Sequence, residues 1–238
     1  MTPIGVPKVS YRMPGEAVTQ WVDLYNRLYR DRILFLGSDL DDELANQLVG
    51  IMVYLNAEDS SQDLFLYINS PGGAISSGFA VFDTMQHIEA TVHTTCVGIA
   101  ASMASLVLTG GEKGYRLAFP HARMMIHQPA GGGYGQASDI LLETSEIARL
   151  RFMVKRMYVK FTGNTPKIIK RDLDRDRYFT PAEAMKYGDF GLIDNIADEV
   201  NLMPLSSIPV RTGEEIEIAH RTLNWFNESE SFEQKRVR

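Results

Sequence analysis

The feature that most constrains this chain of 238 residues is the alternation of short, continuous apolar runs with segments of helical spacing. Apolar runs at residues 32–37, 64–68 and 91–97 predict buried strands, and apolar positions three and four apart predict helices over residues 41–55 and 74–87. Strands that are apolar at nearly every position are typical of a largely parallel sheet, because helices cover both of its faces. The sequence therefore predicts an α/β fold.

Further elements are expected in the second half of the chain. Residues 102–109 predict a short buried helix, residues 123–126 a strand, and a long helical pattern runs from about 136 to 161. The glycine-rich stretch 131–135 before this pattern is interpreted as a flexible joint. Two dipeptides in which threonine precedes proline predict helix starts: Thr165-Pro166 and Thr180-Pro181, the second with Glu183 at the capping-box position.

Composition and charge exclude several classes of protein. A hydrophobic content of 45% is that of a globular chain, and the net charge of −6 disfavours a nucleic-acid partner. The single cysteine, Cys96, cannot form an internal disulfide, and no cysteine and histidine residues have zinc-site spacing. We therefore expect a reducing compartment and a metal-free fold. The longest apolar run, residues 97–108, is too short to span a membrane, and the first residues have no features of an export or transit segment.

Ser102 stands where a predicted buried strand turns into a predicted buried helix. The free backbone amides at the start of that helix would face its hydroxyl, which suits a nucleophile. Gly72 and Gly73, which follow the preceding strand, would bring further amides close to a substrate. Serine is also a preferred helix cap, so a capping role stays open. The nucleophile elbow G-x-S-x-G is absent, because residues 100–104 are AASMA.

A nucleophilic serine needs a base and an acid that orients the base. His127 follows the apolar strand 123–126 directly and is a candidate base, with His121 as a rival. The acid is expected among Asp172, Asp174 and Asp176, and the pattern does not choose between them because the order of triad residues differs between folds. A charged run of this kind is also typical of a solvated face.

Four segments resemble, in order, the signature stretches of the proteolytic subunits of the Clp protease family. They are residues 67–73 (YINSPGG), 98–103 (GIAASM), 125–129 (MIHQP) and 171–177 (RDLDRDR). The resemblance covers about residues 4–200. The opening residues 3–8 and 21–27 are most similar to the plastid-encoded and cyanobacterial branch of that family.

The resemblance implies a role for each residue of the site. The nucleophile falls on Ser102, the general base on His127 and the acid on Asp176, with oxyanion amides at Gly73 and Met103. The implied fold is a crotonase-like α/β head of repeated strand–helix units with a protruding handle helix at about residues 136–161. The glycine-rich stretch 131–135 falls where the family extends a strand that lines the substrate.

The expected domain organisation is an N-terminal arm that includes the axial loop region (1–20), a single protease domain (21–200) and a C-terminal extension (201–238). The chain departs from the family pattern in three places. Residues 189–191 form an apparent insertion, the C-terminal tail is longer than usual, and Ala104-Ser105 replaces a common Gly-Ala or Gly-Ser pair.

The implied activity is that of a serine endopeptidase that hydrolyses unfolded polypeptides to short peptides. Like or related subunits would form two stacked seven-membered rings, a tetradecamer, and an ATP-driven Hsp100 chaperone ring would deliver the substrates. The subunit itself would need no cofactor, since the partner chaperone uses the ATP, and no nucleic acid or membrane is expected. The expected location is the chloroplast stroma, with the bacterial cytoplasm as the alternative.

Two other functions stay open at this point. One is a non-catalytic or weakly active structural subunit of a mixed ring, which the complete candidate triad argues against. The other is an acyl-CoA enzyme of the wider crotonase fold, which would use the same oxyanion turn but would leave the candidate nucleophile and base without a purpose.

Overall fold

The structure is a computed structural model that describes residues 5–11 and 20–197. The predicted C-terminal extension, residues 201–238, and most of the predicted N-terminal arm lie outside this range. The helices and strands follow one another in the order β1 (Lys8–Tyr11), β2 (Gln20–Asp23), α1 (Leu24–Arg30), β3 (Ile33–Leu36), α2 (Asp42–Glu58), β4 (Leu64–Ser70), α3 (Ile75–His87), β5 (Val92–Ala101), α4 (Met103–Thr109), β6 (Arg116–Ala118), β7 (Arg123–Ile126), α5 (Ala137–Thr162), α6 (Pro166–Leu173), β8 (Arg177–Phe179), α7 (Pro181–Met185) and β9 (Asn195–Ile196).

Seven strands form one largely parallel sheet, which confirms the predicted α/β class. The path β3-β4-β5-β6-β9 is parallel throughout, and β7 also pairs in parallel with β5. The long strand β5 pairs with β6 along Thr94–Cys96 and with β7 along Ile99–Ala101. Strand β8 closes this end of the sheet by pairing antiparallel with β7. Strand β5 therefore carries the chain from the middle of the sheet to the site described below.

The core lies between the sheet and the helices that cover it. The first five residues of β5 are buried, and alternate residues of β4 are buried. All seven residues of α4 are buried as well, which is typical of a helix that is apolar all round. Each fully buried leucine contributes about 1.5–3 kcal/mol, so this helix is fixed firmly against the sheet.

The N-terminal part of the described chain differs from the sequence prediction. Strand β1 pairs antiparallel with β2, so residues of the predicted arm form a small two-stranded sheet. Trp21 lies in β2. Helix α1 begins only at Leu24, because the Oδ1 atom of Asp23 accepts a hydrogen bond from the backbone N–H of Asn26 (2.9 Å) and caps it there.

Two short strands of the seven-stranded sheet were not predicted from the sequence. Strands β6 and β8 have three residues each, which is too short for a strand period to appear. Strand β6 also begins with Arg116, a buried arginine whose guanidinium pairs with Asp194. The last strand, β9, has only the two residues Asn195–Ile196. The predicted capping box at Thr180 is confirmed, since the amides of Thr180 and Glu183 each donate to the other side chain.

Helix α5 lies within one residue of the predicted long helix at each end. Its C-terminal half packs on the head through Val154, Tyr158 and Thr162, whereas most residues of its N-terminal half are exposed. The helix ends at Gly163, which adopts a left-handed conformation (φ 73°) that favours glycine. The preceding glycine-rich stretch forms no strand in the structure.

Residues 189–191, the apparent insertion, pack against the end of α5. The amide of Phe190 donates to the carbonyl of Thr162 (2.9 Å), and the Phe190 carbonyl accepts from Nη2 of Arg116 (2.6 Å). The ammonium of Lys113 lies 3.7 Å from the centroid of the Phe190 ring. The segment thus joins the C-terminal end of α5 to the edge of the sheet.

Candidate active site

Ser102 connects β5 to α4 and has an unusual backbone conformation. Its φ of 52° and ψ of −125° are rare for a residue with a side chain, and among the described residues other than glycine only Arg32 also has a positive φ. Such a conformation costs about 1–3 kcal/mol and persists only where surrounding contacts hold it. One such contact is the hydrogen bond from the Ser102 amide to the carbonyl of Met125 (2.9 Å).

The hydroxyl of Ser102 faces a histidine and does not cap the helix. Oγ makes no capping bond to α4, and it lies 2.8 Å from Nε2 of His127. The capping role left open by the sequence is therefore wrong, although Ser102 does occupy the position before the helix. His121 precedes β7 and His127 follows it, so the two histidines lie at opposite ends of that strand.

His127 and Asp176 are brought together by the antiparallel pair β7–β8. Ile126 lies opposite Arg177 in this ladder, so the residues just beyond the pair, His127 and Asp176, are neighbours. Nδ1 of His127 lies 3.0 Å from Oδ1 of Asp176. An ionised carboxylate only accepts hydrogen bonds, so Nδ1 carries the proton of a neutral imidazole. Nε2 is then the acceptor for the proton of Ser102.

The two other candidate aspartates have different partners. Asp174 pairs with Nη2 of Arg151 at 2.6 Å, with both side chains partly exposed. Asp172 is buried, where it accepts hydrogen bonds from Nε of Arg171 (2.9 Å) and from the hydroxyl of Tyr187 (2.9 Å). Of the three aspartates, only Asp176 contacts the histidine in the described structure.

A cluster of hydrogen bonds governs the charge of Asp172. Burial alone would raise the pKa of this carboxyl group. Hydrogen bonds from Arg171, Tyr187 and Arg177 together lower the pKa by more than burial raises it. The net effect is a pKa below the ordinary value, so Asp172 stays ionised at neutral pH and joins α6 to Arg177 of β8 and to Tyr187.

The turn at Gly72-Gly73 lies directly against Ser102. Gly72 has a φ of 96°, and a Cβ atom there would lie 2.6 Å from the carbonyl oxygen of Ala101 and 3.1 Å from the amide nitrogen of Met103. Only glycine permits so close an approach. In the described part of the chain, the amides of Gly73 and Met103 donate to no protein acceptor. Both are thus available to an oxygen atom of a ligand.

Apolar side chains line a shallow pocket beside the Ser102 hydroxyl. They come from α3, α4, α5 and the segment after β7, and they are Ile75, Met103, Val154 and Pro129. This lining makes the surface beside the serine apolar. No group of three or more metal-ligating side chains occurs among residues 5–11 and 20–197. None of the helices described in this range is both long and apolar enough to cross a membrane.

The sequence did not indicate that two residues near Ser102, Ser105 and Tyr158, belong to the site. Ser105 of α4 donates from Oγ to the carbonyl of Ser102 (2.7 Å), and the hydroxyl of Tyr158 of α5 lies 2.8 Å from that Oγ. Ser105 was noted only as a departure from a common family pair, and Tyr158 is one of many apolar positions in a long helical pattern. Burial raises the pKa of the Tyr158 hydroxyl far above its ordinary value, so Tyr158 stays protonated.

The chain is similar to known proteins of one family. A family model described as Clp protease matches residues 15–200. The chain is 61% identical over 195 residues to an ATP-dependent Clp protease proteolytic subunit of Ostreococcus tauri, a match that covers 82% of this chain and 96% of the relative. Proteins with the same name from Oltmannsiellopsis viridis (60% over 195 residues, covering 82% of this chain and 98% of the relative) and Mesostigma viride (54% over 199 residues, covering 84% and 86%) are also similar. The chain belongs to the Clp protease family.

Proposed function

We propose that this chain is a serine endopeptidase, the proteolytic subunit of an ATP-dependent Clp protease. The observation that carries the proposal is the unbroken chain of two hydrogen bonds from Asp176 through His127 to Ser102, at 3.0 and 2.8 Å. A serine with a rare backbone conformation and no capping bond fits a nucleophile better than a structural residue. The names of the similar proteins support the same activity.

In the proposed reaction, Ser102 Oγ attacks the carbonyl carbon of a peptide bond while Nε2 of His127 takes its proton. Asp176 keeps the imidazole oriented and stabilises its positive charge. The carbonyl oxygen becomes an oxyanion that accepts hydrogen bonds from the amides of Gly73 and Met103. His127 then gives the proton to the leaving amine, and an acyl ester remains on Ser102. A water molecule, deprotonated by His127, hydrolyses the ester and restores the serine.

We propose further that the subunit acts within a larger assembly. In the N-terminal half of α5, Ile140, Leu141 and Leu142 are 41%, 71% and 69% exposed, and apolar residues grouped in this way are typical of an interface. Packing of this helix between two stacked seven-membered rings would cover these three side chains. An Hsp100 ATPase would be the partner that delivers substrates to the rings. The chemistry above needs no cofactor in this subunit, so ATP would be used by the partner alone.

The similar proteins come from algae and plants, which supports a plastid location. We propose the chloroplast stroma, with the bacterial cytoplasm as the alternative. Detection of peptides of this chain by mass spectrometry in the stromal fraction of purified plastids would support the first location, and their absence from that fraction would contradict it.

The activity is tested with the Ser102→Ala variant in assembled rings. Native mass spectrometry verifies the assembly, and a fluorogenic peptide reports cleavage. The matched control is Ser60→Ala. It removes a serine hydroxyl that donates a hydrogen bond to Glu89 and contacts no residue of the site. We expect no cleavage with Ser102→Ala and wild-type cleavage with Ser60→Ala. Cleavage by pure Ser102→Ala rings would contradict the proposal, and inactive wild-type rings of correct mass would favour a structural subunit.

A further inference from the structure

The backbone carbonyl of Ser102 accepts two hydrogen bonds from Ser105, and a second hydroxyl lies close to it. It accepts from the amide of Ser105 (3.1 Å) and from Ser105 Oγ (2.7 Å), and the hydroxyl of Tyr158 lies 3.5 Å away. Tyr158 Oη is also 2.8 Å from Ser105 Oγ. Both side chains are 1% exposed, so water does not compete for these bonds.

The number of hydroxyl protons fixes which group donates in each hydrogen bond among Tyr158, Ser105 and the carbonyl of Ser102. A carbonyl oxygen has no proton, so the hydroxyl proton of Ser105 goes to Ser102. Ser105 Oγ then accepts the proton of Tyr158. The result is a relay of two donors, from Tyr158 to Ser105 to the carbonyl of Ser102, in which each bond strengthens the next.

This relay ends on the peptide unit that contains an oxyanion donor. The carbonyl of Ser102 and the amide of Met103 belong to the same planar trans peptide, in which C=O and N–H point in opposite directions. Donors fixed on the oxygen therefore fix the direction of the Met103 N–H. They also draw electron density toward the oxygen, which makes the N–H a stronger donor. The rare φ and ψ of Ser102 make such support necessary, because the local backbone does not favour them.

We propose that Tyr158 and Ser105 are positioning residues that hold the peptide between Ser102 and Met103 so that its N–H points at the oxyanion. The inference rests on the proposed peptidase function. Because the oxyanion exists only near the transition state, the pair acts on kcat and leaves KM unchanged. Loss of one bond of this kind lowers kcat about 3- to 10-fold.

The two single variants have different expected effects. Tyr158→Phe removes the first donor but leaves the Ser105 hydroxyl on the carbonyl. Ser105→Ala removes the second donor, and the Tyr158 hydroxyl can then close the 3.5 Å gap to the carbonyl. The double variant has neither hydroxyl, so we expect its loss of kcat to exceed the product of the two single losses.

A matched control comes from the same helix. Thr109 is fully buried in α4, and its hydroxyl donates to the carbonyl of Ser105 (2.7 Å) without contact to Ser102. Thr109→Val therefore removes a buried hydroxyl and its bond but leaves the relay intact. We expect both Thr109→Val and Tyr158→Phe to lower the unfolding temperature, and we expect Thr109→Val to leave kcat at the wild-type value.

The experiment measures kcat and KM for a fluorogenic peptide, and the inhibition constant of a peptide boronic acid that forms a tetrahedral adduct, in rings of verified mass. We expect Tyr158→Phe and Ser105→Ala to weaken boronate binding by the same factor by which they lower kcat, at constant KM. Wild-type kcat and boronate binding in the double variant would overturn the inference, as would a loss in KM alone or an equal loss in Thr109→Val. Cleavage retained by Ser102→Ala would instead overturn the proposed function itself.

Discussion

Nε2 of His127 lies 2.8 Å from Oγ of Ser102, although the two residues are 25 positions apart in the chain. Their strands, β7 and β5, run parallel with Met125 opposite Ala101, and the amide of Ser102 donates to the carbonyl of Met125. Each strand thus ends at the same edge of the sheet, and the next residue of each carries a reactive side chain. The site follows from the parallel register, because a shift of one residue would move both side chains apart.

The first prediction concerns the acid. Asp176→Asn should lower kcat by about 10²- to 10⁴-fold, because an amide in place of the carboxylate favours the wrong imidazole tautomer and does not stabilise the imidazolium. Steady-state cleavage of a fluorogenic peptide measures the effect. Asp174→Asn is the matched control: it removes only a partly exposed pair with Arg151, worth about 0–1 kcal/mol, and should leave kcat near the wild-type value. Equal losses in the two variants would contradict the assignment of Asp176.

The second prediction concerns the glycine turn. Gly72→Ala should abolish most activity, because its Cβ would lie 2.8 Å from Cβ of Ser102 and the φ of 96° disfavours alanine. Gly37→Ala is the control, since a Cβ there meets no atom within 4 Å and the backbone has no positive φ. Circular dichroism should show folded protein in both cases. Wild-type activity in Gly72→Ala would contradict the prediction, because it would show that the turn can move away from Ser102 without loss of activity.

The third prediction concerns stability and pH. The pKa of Asp172 is lowered in the folded chain, so its contribution is present above the unfolded pKa of about 3.9 and is lost as the pH falls through the folded value. Asp172→Asn should cost about 1.5–3 kcal/mol at pH 7. The difference in unfolding temperature from wild type should shrink when the pH drops below about 3.9. A difference that stays constant from pH 7 to pH 3 would contradict this role of the charge.

The fourth prediction concerns the single cysteine. Cys96 is fully buried, and burial raises the pKa of its thiol to about 12. The thiolate is the reactive form, so iodoacetamide at pH 8 should leave native protein unmodified and should alkylate the chain after unfolding in guanidinium. Mass spectrometry of the intact chain gives the result. Rapid alkylation of the native protein would contradict the core position of Cys96.

The sequence was sufficient to predict the central strands of the main sheet and the location of the candidate nucleophile, Ser102. Buried strands such as β4 have a nearly continuous apolar run, and the position of Ser102 between a buried strand and a buried helix is visible in the pattern. His127 could be selected because it directly follows an apolar strand. These features depend on local sequence alone, which is why they were predictable.

The remaining features depend on contacts between distant segments. The choice of Asp176 over Asp172 and Asp174 follows from the antiparallel register of β7 and β8, and β8 is too short to be recognised. Without the family resemblance, the residues left that choice open. Tyr158 reaches Ser105 from a helix 53 positions further along the chain, which no periodicity reveals. The positive φ of Ser102 is likewise a result of packing and has no signal in the residue type.

The most direct test of the central claim is the reaction of the assembled protein with a fluorophosphonate. Native mass spectrometry first verifies the rings, and peptide mass spectrometry then locates the adduct, with Ser102→Ala as the control. Because His127 is placed to take the proton of Ser102, we predict a single adduct on Ser102 and none in the variant. Correctly assembled rings that form no adduct on Ser102, or that react equally well as Ser102→Ala, would contradict the claim that Ser102 is an activated nucleophile.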